Sequence, residues 1–198
     1  TVEEGGEFTY QMESSGKLVN LANLGRIDVA GTFRIWQMFN NKQIFSQAGG
    51  DVTVHGNGVF DAPVSYYLNS AGQNTQVTSY LTFGTGTTTF EDQSVLPFSG
   101  NTSHNARLRI APTASGDTVR FSLSDESRML GYFGTFILGN ATVGTTLFDV
   151  CSTNCFQGEA NNNDGYFAYS GRVGCGYGTT VMNISTQCSW KVSCNGLN

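Results

Sequence analysis

Charge is scarce in this chain. Only 13% of its 198 residues are Asp, Glu, Lys or Arg, about half the ~25% usual for a soluble domain. Ten basic residues face fifteen acidic ones, a net charge of −5. No basic stripe is present to displace counterions from phosphates, which excludes a nucleic-acid partner. Arg107, Arg109 and Arg120 come nearest, but they alternate with Leu108, Ile110, Val119 and Phe121 and read as the solvated faces of two strands. Long apolar runs are also missing. The most apolar stretch, 131–139, falls far short of the ~20 residues of a spanning helix, so no membrane span is expected. The opening Thr1-Val-Glu-Glu-Gly-Gly lacks the charged-then-apolar pattern of a signal segment and suits a mature terminus after cleavage.

Histidine occurs twice, at His55 and His104, 49 residues apart, with no pair at i, i+2 or i, i+4 to hold a metal. No G-x-S-x-G elbow marks a nucleophile. Gly174-Cys-Gly-Tyr-Gly178 fails the spacing of a nucleotide loop and suits tight turns. Asn161-Asn-Asn-Asp-Gly165 is rich in oxygen but lacks the ligand ladder and closing Glu of a calcium hand. No cofactor is expected, beyond an opportunistic calcium at Asn161–Asp164.

Cysteine is absent before Cys151; the five present are Cys151, Cys155, Cys175, Cys188 and Cys194. Such clustering is the mark of an oxidised, secreted lobe stapled where burial is thin, with one thiol left over. Fifteen pairings of two bridges are compatible with the spacing. Three sequons, at Asn101, Asn140 and Asn183, are glycosylation candidates. With 17 Asn and 40 Ser or Thr, chance alone supplies about three, so extracellular placement rests on the cysteines.

Gly, Thr, Ser and Asn fill the space that charge leaves, and they favour strands and turns over helices. Apolar alternation runs through 26–29, 51–55, 106–111 and 118–124. Thr32–Phe39 and Lys42–Gln47 flank Asn40-Asn41, a pair suited to a two-residue hairpin turn that would set Trp36 opposite Phe45. Leu18, Leu21 and Leu24 suggest a short helix over 17–24, and Ser124 caps a helical turn over 124–130. No repeat of 20–50 residues stands out. The expected fold is all-β: one antiparallel, jelly-roll-like sandwich over 1–198, with 151–194 a disulfide-braced lobe of the same domain.

Function is less legible. The acidic residues sit mostly in turn-like positions, Asp61, Asp117, Asp125, Glu126 and Asp164, with Asp28, Asp51 and Asp149 in or beside strands. Trp36, Tyr66, Tyr67 and Tyr80, with His55, are the candidate ligand-binding residues. Aromatic side chains of this kind stack on sugar rings or else fill a core; Tyr166, Tyr169 and Trp190 are further examples. The leading expectation is a secreted, non-enzymatic surface protein that binds a carbohydrate or protein, or assembles with copies of itself. Alternatives are a secreted glycan hydrolase or lyase with two converging carboxylates, and a barrel carrying an apolar ligand.

Overall fold

The computed structural model describes residues 1–12, 19–22, 25–37, 42–61, 66–68, 74–76, 79–99, 106–132, 134–139, 143–151, 156–157 and 179–184. The first coil of the chain is β1 (Glu7–Met12), β2 (Val19–Ala22) and β3 (Arg26–Val29). The second is β4 (Thr32–Gln37), β5 (Lys42–Ala48) and β6 (Asp51–Val54). The third holds β7 (Val59–Asp61), an inserted pair β8 (Tyr66–Leu68) and β9 (Asn74–Gln76), then β10 (Ser79–Phe83) and β11 (Gly86–Phe90). The fourth is β12 (Val95–Ser99), β13 (Ala106–Ile110) and β14 (Thr118–Leu123). The fifth is β15 (Arg128–Tyr132), β16 (Gly134–Leu138) and β17 (Thr145–Val150), followed by β18 (Phe156–Gln157) and β19 (Thr179–Ile184).

Each coil gives one strand to each of three sheets. Sheet I is β1-β4-β7-β12-β15-β18, sheet II is β2-β5-β10-β13-β16, and sheet III is β3-β6-β11-β14-β17-β19. All pairings within them are parallel; among the described residues the one antiparallel ladder is the inserted β8–β9 pair. The molecule is therefore a three-sided parallel solenoid, and the antiparallel jelly-roll sandwich is wrong.

The supposed hairpin shows why. β4 and β5 do not pair. β4 lies between β1 and β7, and β5 between β2 and β10, so the chain bends from one sheet into the next rather than reversing. A short polar break between two alternating strands fits either geometry, and the choice is made by partners a whole coil away. The helix expected over 17–24 is also overturned, since Val19–Ala22 is a strand. At 124–130 a turn leads directly into β15, not into a helical turn. A repeat does exist in space. Glu7 pairs with Thr32, Thr32 with Val59, Val59 with Val95 and Val95 with Arg128, steps of 25, 27, 36 and 33 residues. Unequal steps hide such a repeat from any search at fixed period.

Stacked coils align like with like inside the prism. Val29, Val54, Phe90, Leu123 and Val150 form one column on sheet III, all buried. On sheet I, the rings of Phe8, Phe33 and Phe60 stack at 5.3 and 5.0 Å. Phe8 ends the column and is 48% exposed. Phe83 on sheet II touches Phe45 of its own sheet, Phe60 of sheet I, and Phe90 and Phe121 of sheet III. Pro97, which has no amide to donate, sits where the β7–β12 ladder has already stopped at Val59↔Val95.

The corner between sheets II and III is held by polar groups. Gln47 is 1% exposed, yet its amide is fully used: Nε2 donates to the carbonyls of Gly50 (3.0 Å) and Thr87 (3.1 Å), and Oε1 accepts from Thr88 Oγ1 (2.8 Å). One coil further, a hydrogen bond from the Thr85 side chain and the amides of Ala114 and Thr113 hold the Asp117 carboxyl below its ordinary value, outweighing desolvation. A lowered folded-state pKa adds stability that is complete above the unfolded value and is lost as pH falls through the folded one. Acid titration of stability should therefore steepen below the ordinary carboxylate value of 3.8. Asp117→Asn should flatten that limb in urea unfolding measured from pH 5 to pH 2; an unchanged slope would contradict the assignment.

Candidate functional site

The three corners differ. At the III–I corner the connections are short: two residues between β3 and β4, then four at each of the next three coils. These turns repeat one geometry. Gly58 N donates to His55 O, Ser94 N to Glu91 O, and Ser127 N to Ser124 O. The second residue of each has positive φ: Gly56 (59°), Asp92 (56°) and Asp125 (56°). Asp tolerates this left-handed region better than most side chains because its short carboxylate bonds locally. Here it bonds along the stack. Asp92 Oδ2 accepts from Gly56 N at 2.8 Å, and Asp125 Oδ2 accepts from Asp92 N at 3.2 Å and from Ser124 Oγ at 3.0 Å. Gln93 Nε2 reaches Glu126 Oε2 at 3.2 Å.

An open depression lined by Gly56, Asn57, Asp92, Gln93, Asp125 and Glu126 lies on this ladder. Glu3 and Glu4 belong to the same corner two coils before Gly56, because Val2 bridges to Val29 before the chain enters β1. Six of the fifteen acidic residues thus share one edge of the prism. The sequence placed Asp125 and Glu126 at turns, but nothing in it announced that the turns would stack.

The carboxylates that fall in strands do not converge. Asp28 and Asp149 occupy one outer column of sheet III with Thr53, Thr89 and Ser122 between them. Four inter-strand steps amount to roughly 19 Å, beyond the ~5–9.5 Å between paired glycosidase carboxyls. Asp51 lies in the neighbouring column beside Arg26. His55 stands at the III–I corner with Nε2 3.3 Å from Asp28 Oδ1, and Arg26 reaches the same oxygen at 3.9 Å. On the outer face of sheet I, Arg34 joins three coils: Nη1 bonds Glu7 Oε1 and Nε bonds Asp61 Oδ2, both at 2.8 Å. The Asp61 hydrogen bond, with the charges of Asp61 and Glu7, raises the guanidinium pKa against the cost of burial. Among the described residues no group of three or more His, Cys, Asp and Glu is placed to hold a metal ion.

The longest connection lies at the I–II corner, although that of the fifth coil, between β15 and β16, is a single residue and the II–III corner has seven residues between β13 and β14 and six between β16 and β17. Six residues separate β1 from β2, four separate β4 from β5, seventeen separate β7 from β10, and six separate β12 from β13. The seventeen include β8 and β9, in which Tyr66 pairs with Gln76 and Tyr67 with Thr75. Trp36 is the penultimate residue of β4, one coil before that insertion, and Tyr80 is the second residue of β10, just after it. By chain position, four of the five candidate binding residues therefore fall in the strands that lead into, make up and follow the I–II connections of two successive coils. His55 does not; it stands at the III–I corner.

Beyond the insertion, sheet II has an unusual charge pattern. Its five strands contain Lys42, Arg107 and Arg109 and no acidic residue. Register pairs Tyr80 with Arg107 and Thr82 with Arg109; Thr82, which alternates with buried Leu81 and Phe83, is itself only 6% exposed. Cys151 is exposed and has no disulfide partner among the described residues. Asn183 pairs with Asp149 on sheet III. Cys155, Cys175, Cys188, Cys194, Asn101, Asn140, His104, Asn161–Asp164, Tyr166, Tyr169 and Trp190 lie outside the described residues. The described residues include no helix long and apolar enough to cross a membrane. No protein-family model, no curated protein and no solved structure matches this chain.

Proposed function

We propose that this chain is a non-catalytic surface protein, a parallel solenoid that binds carbohydrate at its I–II corner. The observation that carries the reading is the β8–β9 insertion, which interrupts the third coil at the corner where Trp36 precedes it and Tyr80 follows. In stacked-coil proteins the repeats build a stiff frame, and departures from the repeat gather on the face that meets a ligand. Tyr and Trp suit sugar rings because each combines an apolar face with a polar tip. The wide spacing of Asp28 and Asp149 on sheet III favours binding over hydrolysis.

Glycan-array screening of the purified protein tests this. Ligands should be retained, and Tyr66→Ala/Tyr67→Ala or Trp36→Ala should weaken them by about tenfold, as for aromatic anchors elsewhere. Asp92→Asn at the III–I corner should leave binding unchanged, and bound oligosaccharide should release no new reducing ends. Absence of any retained glycan, or binding indifferent to all three aromatic substitutions, would overturn the reading.

A further inference from the structure

Sheets III and I are finished differently at the first coil. On sheet III, Val2 bridges to Val29, donating to Asp28 O and accepting from Ala30 N, and so occupies the edge of β3. On sheet I, nothing among the described residues pairs with the far side of β1. The register of β1 with β4 runs unbroken from Glu7↔Thr32 to Met12↔Gln37. Thr32 N donates to Gly6 O, and alternation from that bond turns the backbone N–H and C=O of Glu7, Thr9 and Gln11 away from β4. Glu7, Phe8 and Thr9 are all exposed. Phe8 belongs to the inner column of rings, yet it is 48% exposed where its register partner Phe33 is 6% exposed. Natural sheets blunt open edges with Lys, Pro or a bulge. Glu7–Met12 has none of these.

We infer that β1 pairs antiparallel with β1 of a second copy, joining two solenoids at their first coils about a two-fold axis through Thr9. This contact is independent of the corner assigned to carbohydrate. With Thr9 opposite the partner's Thr9, Glu7 lies opposite the partner's Gln11 and Phe8 opposite the partner's Tyr10. Every N–H and C=O that Glu7, Thr9 and Gln11 direct outward then finds a partner. Phe8 meets Tyr10, which packs against the core, at a position without backbone bonds, where cross-strand side chains come closest. Charge favours this direction. Glu7 is set against an uncharged residue, whereas a parallel in-register pairing would set it against a second Glu7. Head-to-tail stacking fits badly. It would bring the two-residue β18, last in sheet I, to the open edge of β1, and β19, last in sheet III, to the edge that Val2 already occupies. An isologous contact uses one surface twice and stops at a dimer.

Sedimentation velocity of the whole chain from about 5 to about 500 µM tests this, because association driven by mass action must depend on concentration. A monomer–dimer equilibrium with no larger species is expected. Residue-resolved hydrogen exchange over the same range should show the amides of Glu7, Thr9 and Gln11 gaining at least about tenfold protection as dimer forms. Those of Phe8 and Tyr10, which alternation directs toward β4, should be protected throughout. Thr9→Pro removes the central N–H, which points away from β4, and proline is tolerated on an edge strand. It should raise the dimer dissociation constant at least about tenfold, the effect of losing the paired central amides, with an unchanged circular dichroism spectrum. If that variant misfolds, the wild-type exchange pattern decides. A monomer at every concentration, a dimer that survives Thr9→Pro, a ladder of larger species, or protection arising at other amides instead would overturn the pairing. So would a chain that stays monomeric yet gains protection at Glu7, Thr9 and Gln11 from an added Thr-Val repeat peptide, which would give the edge to a foreign strand.

Discussion

Phe83→Ala should lower the unfolding free energy by about 3–5 kcal/mol, the cost of deleting a large buried ring whose surroundings cannot collapse. Phe83 has no exposed surface, and its ring lies 5.2–5.7 Å from those of Phe45, Phe60 and Phe121 and 6.3 Å from Phe90. Those four come from all three sheets, so the void opens where the walls of the prism meet and no single wall can move in to fill it. Against a typical total of ~5–15 kcal/mol, the loss is easily seen in urea unfolding. Phe8→Ala is the matched contrast. Its ring sits at the end of the stack and is 48% exposed, so truncation should cost no more than about 1 kcal/mol. Equal losses at the two positions would mean that Phe83 is not the junction of the core.

Gly86→Ala should be nearly as damaging for a different reason, at about 3 kcal/mol or more. Gly86 has φ of +122°, a region that residues with a Cβ occupy only under strain of ~1–3 kcal/mol. A Cβ there would also be driven into the Gly50 carbonyl and sit 2.9 Å from Gln47 Nε2. Gln47 has no spare freedom, because its amide makes three hydrogen bonds that tie β5, the Gly50 turn and β11. Moving it leaves buried polar groups unpaired, at a further ~1–3 kcal/mol. Thermal unfolding should show a large downward shift. Gly116→Ala supplies the control: its φ is +83°, but nothing lies within 4 Å of the added carbon, so only the backbone strain should register.

The strands themselves were readable, and for a plain reason. Arg26–Val29, Asp51–Val54 and Thr118–Leu123 alternate because one face of each meets a dry interior, and that demand is the same in a sandwich and in a solenoid. Leu108, Ile110, Val119 and Phe121 are buried as the alternation requires, and Arg120 is exposed. Pairing was not readable. Whether β4 reverses into β5 or bends toward the next sheet depends on β1 and β7, which lie 25 and 27 residues away. Nor does local patterning distinguish Leu18, Leu21 and Leu24 on a helix from a strand at Val19–Ala22, since the neighbouring β5 decides it.

The candidate site was legible as a set of residue types but not as a place. Trp36, Tyr66, Tyr67 and Tyr80 stand out by their chemistry, and only the coiling puts their chain positions at the connections of one corner. His55 follows the alternation of 51–55, and coiling sends it to another corner. The acidic turns and the cation-only sheet were invisible in advance, because both arise when residues a full coil apart are stacked. A chain that looks uniformly poor in charge is in fact divided.

Everything rests on the stacking order of the coils, and methyl NOE spectroscopy of Val- and Leu-labelled protein reads it directly. Parallel coiling predicts contacts between Val29 and Val54 and between Leu123 and Val150, each pair one strand apart in the same column. It predicts none between Val29 and Val150, roughly four strand spacings or 19 Å away. A cross-peak joining Val29 to Val150, or the absence of both neighbour contacts in the folded protein, would contradict the solenoid and the division of charge that follows from it.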